Sequence, residues 1–483
     1  MPIRDRAQHL AGGPGRSHEV GQRGDDPPVL RLRESGSMMR IRKTVLAVCG
    51  AAVLAACGGG SGGSGKEPKA GGSDFKLTTS GPIEIGMLIT DTRAETARNG
   101  VGTVSPYRDA AHAMFDKINA GGGINGRKIK VVDEAVDFSA PNHDTTFEGI
   151  CQRFTKDNNV QAVVYDGIIY NESFNNCLTK AGVPTLYMGQ TGSPVGDDKS
   201  LKDGPGVIAV NAVSATRRVE SIMNKAIAAK YLRSGSRIGV VIEDCPYNER
   251  AYDKTLKPIA DKGGIALVKA ELKCAHGYAD NGPNLAMIQS LALKFKSQNV
   301  DSVMFLTLYE NGLIYYFAQG AHAQKWSPQY LLFHSQGGAD NMKIFPAEQL
   351  TSMRGFGGFP GIDVTEPPAP PAAQAAVRDG CLADARTAGL AVQKTSDQIT
   401  VFQACDAVRL LQQGLTKSGG LGGTEKLVAG IETIGTGFVS ALTLNGATKF
   451  GPDRHDGMEL TAVSTFDTGC KCFKYATSPE PIK

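Results

Sequence analysis

The spacing Gly121-x-Gly123-x-x-Gly126 is the first pattern in the chain that could hold a phosphate. A dinucleotide loop follows a strand and opens a helix, so that the pyrophosphate rests on helix N-terminal amides. Here the glycines follow a helical stretch and open a strand, so they read as a helix stop and a turn. No H-E-x-x-H occurs, and no G-x-S-x-G stands on a strand-to-helix turn. His455 lies between acids in PDRHDG (452–457), but the segment separates two strand-like runs and ends in glycine, which reads as a turn. Cys274 and His276 in CAHG have no second Cys/His pair at zinc spacing. The remaining histidines are scattered. These patterns predict no enzyme, no metal and no cofactor.

The cysteines carry more. The apolar run 44–56 follows Arg40, Arg42 and Lys43 and ends in Leu-Ala-Ala-Cys at Cys57. At 13 residues it is shorter than the ~20 needed to span a bilayer, so it reads as an export signal. Charge, apolar core and LAAC in that order resemble a bacterial lipoprotein signal. The resemblance implies cleavage before Cys57, a diacylglyceryl group on its thiol, and anchoring to the outer face of the cytoplasmic membrane. The alternative is an ordinary secretory signal that happens to contain a cysteine. Residues 1–37 are polar and unpatterned and would bury that signal internally; a start at Met38 or Met39 is expected, with 1–37 a non-native extension. Residues 58–74 are rich in Gly and Ser and read as a flexible tether.

The chain has 52 basic and 48 acidic residues, and residues 1–56 contain nine and five of them, which leaves 43 of each. The basic excess therefore belongs to the leader, and nucleic acid is excluded as an expected partner. Eight cysteines remain after Cys49 and Cys57, an even number in an exported chain, which predicts disulfides. Neighbour pairing gives Cys151–Cys177, Cys245–Cys274 and Cys381–Cys405. Cys470 and Cys472 are about 6.6 Å apart if they lie on a strand, near the upper limit for a bridge. A bridge and a free or differently paired dithiol are both open there.

What positions any site is an alternation of short apolar runs and helical patterns. Strands are expected at 83–90, 128–137, 161–166 and 183–188, with helices near 105–120, 143–157 and 171–181. A second series places strands at 237–244, 265–272, 301–308 and 329–335, with helices near 214–231, 248–262, 284–298 and 311–323. Further helices are expected near 371–389, 398–417 and 424–434, and strands near 437–450 and 459–475. Two such series predict an α/β protein with two doubly wound parallel-sheet lobes. The expected division is 75–210 plus 360–446 for one lobe and 211–359 plus 447–483 for the other. Ligands in such folds sit beyond the carboxyl ends of the strands.

The stretch INAGGGINGRKIKVVDEAVD (118–137) is similar to a signature of periplasmic binding proteins of the leucine/isoleucine/valine type. The order of elements agrees over roughly 80–475, with FQACDAV (402–408) where that family usually has a Tyr-Asp-Ala helix. The resemblance implies a type I solute-binding fold with three hinge strands. The ligand would be trapped between the lobes and passed to an ATP-driven (ABC) permease, and the protein would act as a monomer. A lipid-anchored sensor of the same fold is the alternative, and a cell-surface α/β enzyme a more distant one.

That family holds a ligand carboxylate in the loop after the third strand, through serines and helix amides. Here the loop reads Gly167, Ile168, Ile169, Tyr170, and the serines are missing. The next loop places Gly189, Gln190 and Thr191 where the family supplies a carbonyl and a hydroxyl. Tyr247 falls where an aromatic is common, and Tyr309 and Glu310 follow in the next loop of that lobe. Gln336 stands where the family usually has the acid that pairs with a ligand ammonium. A buried ammonium without a carboxylate is costly. Either Glu310 supplies that charge, or the ligand is an amide, urea or carboxylic acid. Thr103 and Ser105, before the first helix, are weaker candidates. The glycines and proline of GFGGFPG (355–361) are expected to serve one hinge.

Overall fold

A computed structural model describes residues 76–93, 107–188, 195–307, 310–334 and 342–482. The first sheet has five parallel strands in the order β2-β1-β3-β4-β5. They are β1 (Ile83–Asp91), β2 (Ile129–Asp137), β3 (Ala162–Tyr165), β4 (Thr185–Tyr187) and β5 (Val207–Ala209). The helices between them are α1 (Tyr107–Ala120), α2 (Asp144–Gln152), α3 (Glu172–Lys180) and the short α4 (Asp198–Asp203). β3 is buried at every position, the pattern of a central strand covered on both faces.

The second sheet has seven strands in the order β13-β12-β10-β9-β8-β6-β7. Its parallel part is β6 (Arg237–Glu243), β7 (Ala266–Leu272), β8 (Ser302–Leu306), β9 (Gln329–Leu332) and β10 (Met353–Gly355). Around it lie α5 (Ala215–Ala228), α6 (Pro246–Ala251), α7 (Lys257–Gly263), α8 (Asn281–Ser297) and α9 (Glu310–Ala323), with the short α10 (Ala347–Leu350) before β10 and α11 (Pro360–Asp363) after it. The parallel repeat ends there. β11 (Leu460–Thr461) pairs outside this sheet with β14 (Glu480–Pro481), and β12 (Ser464–Asp467) and β13 (Cys472–Tyr475) add an antiparallel hairpin at the β10 edge. The second lobe is thus mixed rather than wholly parallel. β10 is too short, at three residues, to carry a periodic signal.

Between β10 and that hairpin the chain returns to the first lobe. α12 (Ala372–Thr387) and the long α13 (Thr395–Lys417) pack on α1, and α13 also touches β4. The chain therefore passes between the sheets three times: after β5, after β10, and again before β12. The crossings pair with each other. Ala209 N donates to His455 O and Gly457 N to Ala209 O, each at 2.8 Å. Ala462 N donates to Gly357 O at 2.9 Å. A Cβ on Gly358 would lie 2.2 Å from Leu460 O, so close backbone approach is what requires glycine in this crossing.

Segment 437–450, expected as a strand, is irregular, with one 3₁₀ turn at Leu444–Gly446. Its polar groups are satisfied by the buried Asp406. That carboxylate accepts from Ser440 Oγ at 2.5 Å and Ala441 N at 2.8 Å, in place of a ladder partner. All four disulfides form, Cys151–Cys177, Cys245–Cys274, Cys381–Cys405 and Cys470–Cys472. The last closes within the turn joining β12 to β13, where the Cα atoms are 5.2 Å apart. No helix among the described residues is long and apolar enough to cross a membrane.

Candidate functional site

Each sheet reverses its winding once. In the first the switch lies between β1 and β3, and in the parallel part of the second between β6 and β8. Crevices at such points, beyond the strand carboxyl ends, are where open α/β sheets take ligands. At the first switch, Asp166 follows β3 and is fully buried. Its carboxylate accepts from Thr90 N at 2.6 Å, Thr90 Oγ1 at 2.9 Å and Ile168 N at 3.2 Å. It thereby ties β1 to the loop after β3. Burial raises its pKa to about 6, against the lowering effect of the bonds from Thr90, Ile168 and Gly167.

That loop contains four of the expected ligand residues. Gly167 has φ 75°, in the left-handed region. Ile168 and Ile169 pack into the core, and Ile169 O accepts from Tyr165 Oη at 2.6 Å. The Tyr170 ring lies 5.2 Å from that of Tyr247, edge to face at 79°. Tyr247 sits in the first turn of α6, beyond the end of β6. The two tyrosines come from different sheets, so the lobes meet at this pair. Beside it is a cavity of about 170 Å³ lined by Tyr170, Glu172, Tyr247, Cys245 and His276.

Polar contacts flank the pair. Arg250 in α6 reaches across to the first lobe. Its Nε is 2.8 Å from Asp197 Oδ2, and its Nη2 is 2.8 Å from Asp197 Oδ1 and 3.1 Å from Glu172 Oε1. Burial raises the Asp197 carboxyl, but bonds from Arg250 and Ser200 outweigh it and hold the pKa below the usual value. On the other side His143 N donates to His276 O at 2.7 Å, and the His276 ring lies 3.2 Å from Asp144. The Cys245–Cys274 bridge joins the loops after β6 and β7 that present Tyr247 and His276.

A family model described as periplasmic binding protein matches residues 82–470. The chain belongs to that family. No curated protein sequence matches it significantly. Among solved structures, it is similar to a substrate-binding protein of an ABC transporter from Desulfitobacterium hafniense in complex with Leu. The identity is 18%, the match covers 81% of this chain and 99% of that one, and the TM-score is 0.51. A solute-binding protein from R. palustris with 4-hydroxybenzoate is 13% identical over 83% of this chain and 97% of that one, with a TM-score of 0.57. A Thermus thermophilus protein with bound valine is 12% identical over the same shares, with a TM-score of 0.55. At these identities the likeness establishes the type I fold. The family is one of extracytoplasmic solute-binding proteins.

In a periplasmic binding protein of this fold the ligand is expected between the two switch points. Of the expected ligand residues, Gly167, Ile168, Ile169, Tyr170 and Tyr247 are brought together there. Thr103, Ser105, Gly189, Gln190, Thr191, Tyr309 and Gln336 lie outside the described residues, as does Cys57. Glu310 opens α9, and its side chain also lies outside them.

Sequence reasoning missed three charged residues at the strand carboxyl ends: Asp166, Arg218 and Glu243. The only signal was that Asp166 and Glu243 directly follow or end apolar strands. Arg218 lies in the first turn of α5 and is 2% exposed. The remaining motifs are structural. His455 Nε2 pairs with Glu432 at 2.9 Å, and Gly451 and Arg454 close the expected turn. Cys274 is bridged. Among the described residues no cluster of His, Cys, Asp or Glu could hold a metal ion.

Proposed function

We propose that this chain is an exported lipoprotein, held to the membrane through Cys57, that captures a small polar or amphipathic organic solute for an ABC importer. The solute classes are amino acids, amides and carboxylic acids. The observation that carries this reading is the meeting of Tyr170 and Tyr247 across the cleft, ring to ring at 5.2 Å, at the carboxyl ends of two separate sheets. Rings on opposite lobes close over a solute and exclude water from it. The ligand stabilises the closed arrangement by as much as it prefers that arrangement to the open one. Gly189, Gln190 and Thr191 from the first lobe, and Tyr309, Glu310 and Gln336 from the second, complete the proposed polar shell, with Thr103 and Ser105 at its margin. The protein acts as a monomer.

The test is native mass spectrometry of the body from Gly58 onward, exported so that its disulfides form and never refolded. A released mass below a few hundred daltons, with a scattering radius that grows when the ligand is removed, is the expected result. No released mass, and an unchanged radius with amino acids, amides and acids in turn, overturns the reading.

A further inference from the structure

We propose that the loops after β2 and β7 form a latch that seals the cleft over the solute, and that Gly277 is the residue on which the seal depends. This rests on the solute-capture reading above and names where that site opens and shuts.

β2 and β7 are edge strands. In the first sheet β2 lies at the opposite edge from β5, and in the second β7 lies across the sheet from β10 and β12. The crossings leave from β5 and β10 and return at β12, so both loops stand across their sheets from the hinge. In the first sheet the lever is about 19 Å, four strand spacings. The loops meet backbone to backbone. His143 N donates to His276 O at 2.7 Å. A Cβ on Gly277 would lie 2.0 Å from Pro141 O and 2.8 Å from Asn142 Cα. The φ of Gly277 lies outside the left-handed region, so its own backbone accepts a side chain. The three nearest atoms that a Cβ would meet all belong to the other lobe. The sequence needs glycine at 277 for the contact between lobes, not for the turn.

Neither loop yields cheaply. On the second lobe Cys274 is bridged to Cys245, and its N–H donates to Asp244 Oδ1 at 2.6 Å. Asp280 accepts from His276 N at 2.8 Å, and its own N–H donates to Gly277 O at 3.2 Å. On the first lobe Ser139 N donates to Asp137 Oδ1 at 2.8 Å and Asp144 N to Asn142 Oδ1 at 2.7 Å, and the ring of Pro141 fixes its φ. An alanine at 277 is therefore relieved by backing the lobes apart by about 1 Å, which stretches the His143–His276 bond out of hydrogen-bond range. The same loops line the cavity of about 170 Å³ beside the tyrosine pair, through His143, Asp144, Cys274, Ala275 and His276. A space of about 150 Å³ takes a benzene, so the latch encloses a solute of about that size and opens the cavity when it parts.

The experiment compares Gly277→Ala with Gly282→Ala, whose Cβ would meet nothing within 4 Å on the same lobe. On the exported protein, three quantities are read: hydrogen exchange of the His143 amide, calorimetric affinity, and the urea midpoint. The probes are leucine, benzamide and benzoate, one from each proposed class and each near the size of the cavity. Gly277→Ala should speed exchange at His143 at least 10-fold and weaken the tightest probe at least 10-fold while the urea midpoint holds. Gly282→Ala should change none of the three. In the wild type a saturating probe should slow the same amide, a comparison that needs no variant. Wild-type exchange and affinity in Gly277→Ala, or a fall in the urea midpoint equal to the loss in binding, overturns the latch. Where none of the three probes binds, exchange at His143 alone decides it. If a probe binds and contracts the scattering radius while Gly277→Ala changes nothing, the latch fails and the solute-capture reading stands.

Discussion

Removing the Arg250 side chain should weaken ligand binding without weakening the fold. Arg250 leaves α6 and meets Asp197 through two bonds of 2.8 Å, with Glu172 at 3.1 Å and Ser200 Oγ at 2.9 Å. All three partners belong to the first lobe. A charge-assisted bond contributes about 1.5–3 kcal/mol when buried. Asp197 is 6% exposed and Arg250 28%, so solvent screens part of the attraction. A net contribution of about 2 kcal/mol to closure follows, equivalent to about 30-fold in the closed-to-open ratio. Arg250→Ala should therefore raise the dissociation constant of the co-purified ligand by about 10- to 30-fold. The ligand-free scattering radius should shift toward the open value. The urea midpoint should hold, because neither hydrophobic core includes Arg250. Asp197 also caps α4 by accepting from Ser200 N at 3.0 Å. Asp197→Asn keeps that cap and is the better partner for a double-mutant cycle. An unchanged affinity, or a fall in urea stability equal to the loss in binding, would refute the idea that this contact acts on closure.

Asp166 predicts a pH dependence. Its folded-state pKa is raised from 3.8 to about 6, so its stabilising contribution is complete below 3.8 and is lost as pH rises through about 6. Relative to Asp166→Asn, the wild-type protein should lose about 2 kcal/mol of urea stability between pH 4 and 7; parallel profiles would sink the assignment. Replacing both Cys245 and Cys274 with Ser should cost about 3–4 kcal/mol, the loop-closure value for a separation of 29 residues. It should also weaken ligand binding, since the bridge holds the loops presenting Tyr247 and His276; calorimetry on exported protein checks this. Gly196→Ala puts a Cβ 2.5 Å from Tyr170 Oη at a φ of +64°. It should cost about 1–3 kcal/mol and alter the near-ultraviolet circular dichroism of the Tyr170–Tyr247 pair.

The doubly wound lobes were legible because β1, β3, β4, β6 and β8 lie in apolar runs separated by helical patterns. β5 and β10 were not: β4 is equally short but sits inside the apolar run 183–188, whereas β5 directly follows Gly-Pro-Gly and β10 contains Arg354 and runs into glycines. The antiparallel hairpin at 464–475 was visible as strand but not in direction, which depends on the edge it meets. Neighbour pairing of the cysteines succeeded because each pair joins elements that are adjacent in the fold: α2 with α3, the loops after β6 and β7, and α12 with α13.

The charges of the cleft were less legible for a different reason. A motif marks a residue by its place in a loop, and the expected site came entirely from loops. Arg218 is on a helix, 115 positions before Phe333 in the sequence, the residue whose ring it covers. In the sequence it is the second of two adjacent arginines on an amphipathic helix, indistinguishable from a solvated basic pair. The fold separates them. Arg217 turns to the hinge, donating to Asp456 O and Met458 O at 2.9 Å each. Arg218, one residue and about 100° further round the helix, turns to the strand ends. Two neighbouring cations thus divide between holding the crossing and packing on the Phe333 ring beyond β9. Arg217→Ala should consequently lower the urea midpoint, because it removes bonds that tie α5 to the crossing at 456–458; an unchanged midpoint would count against that role.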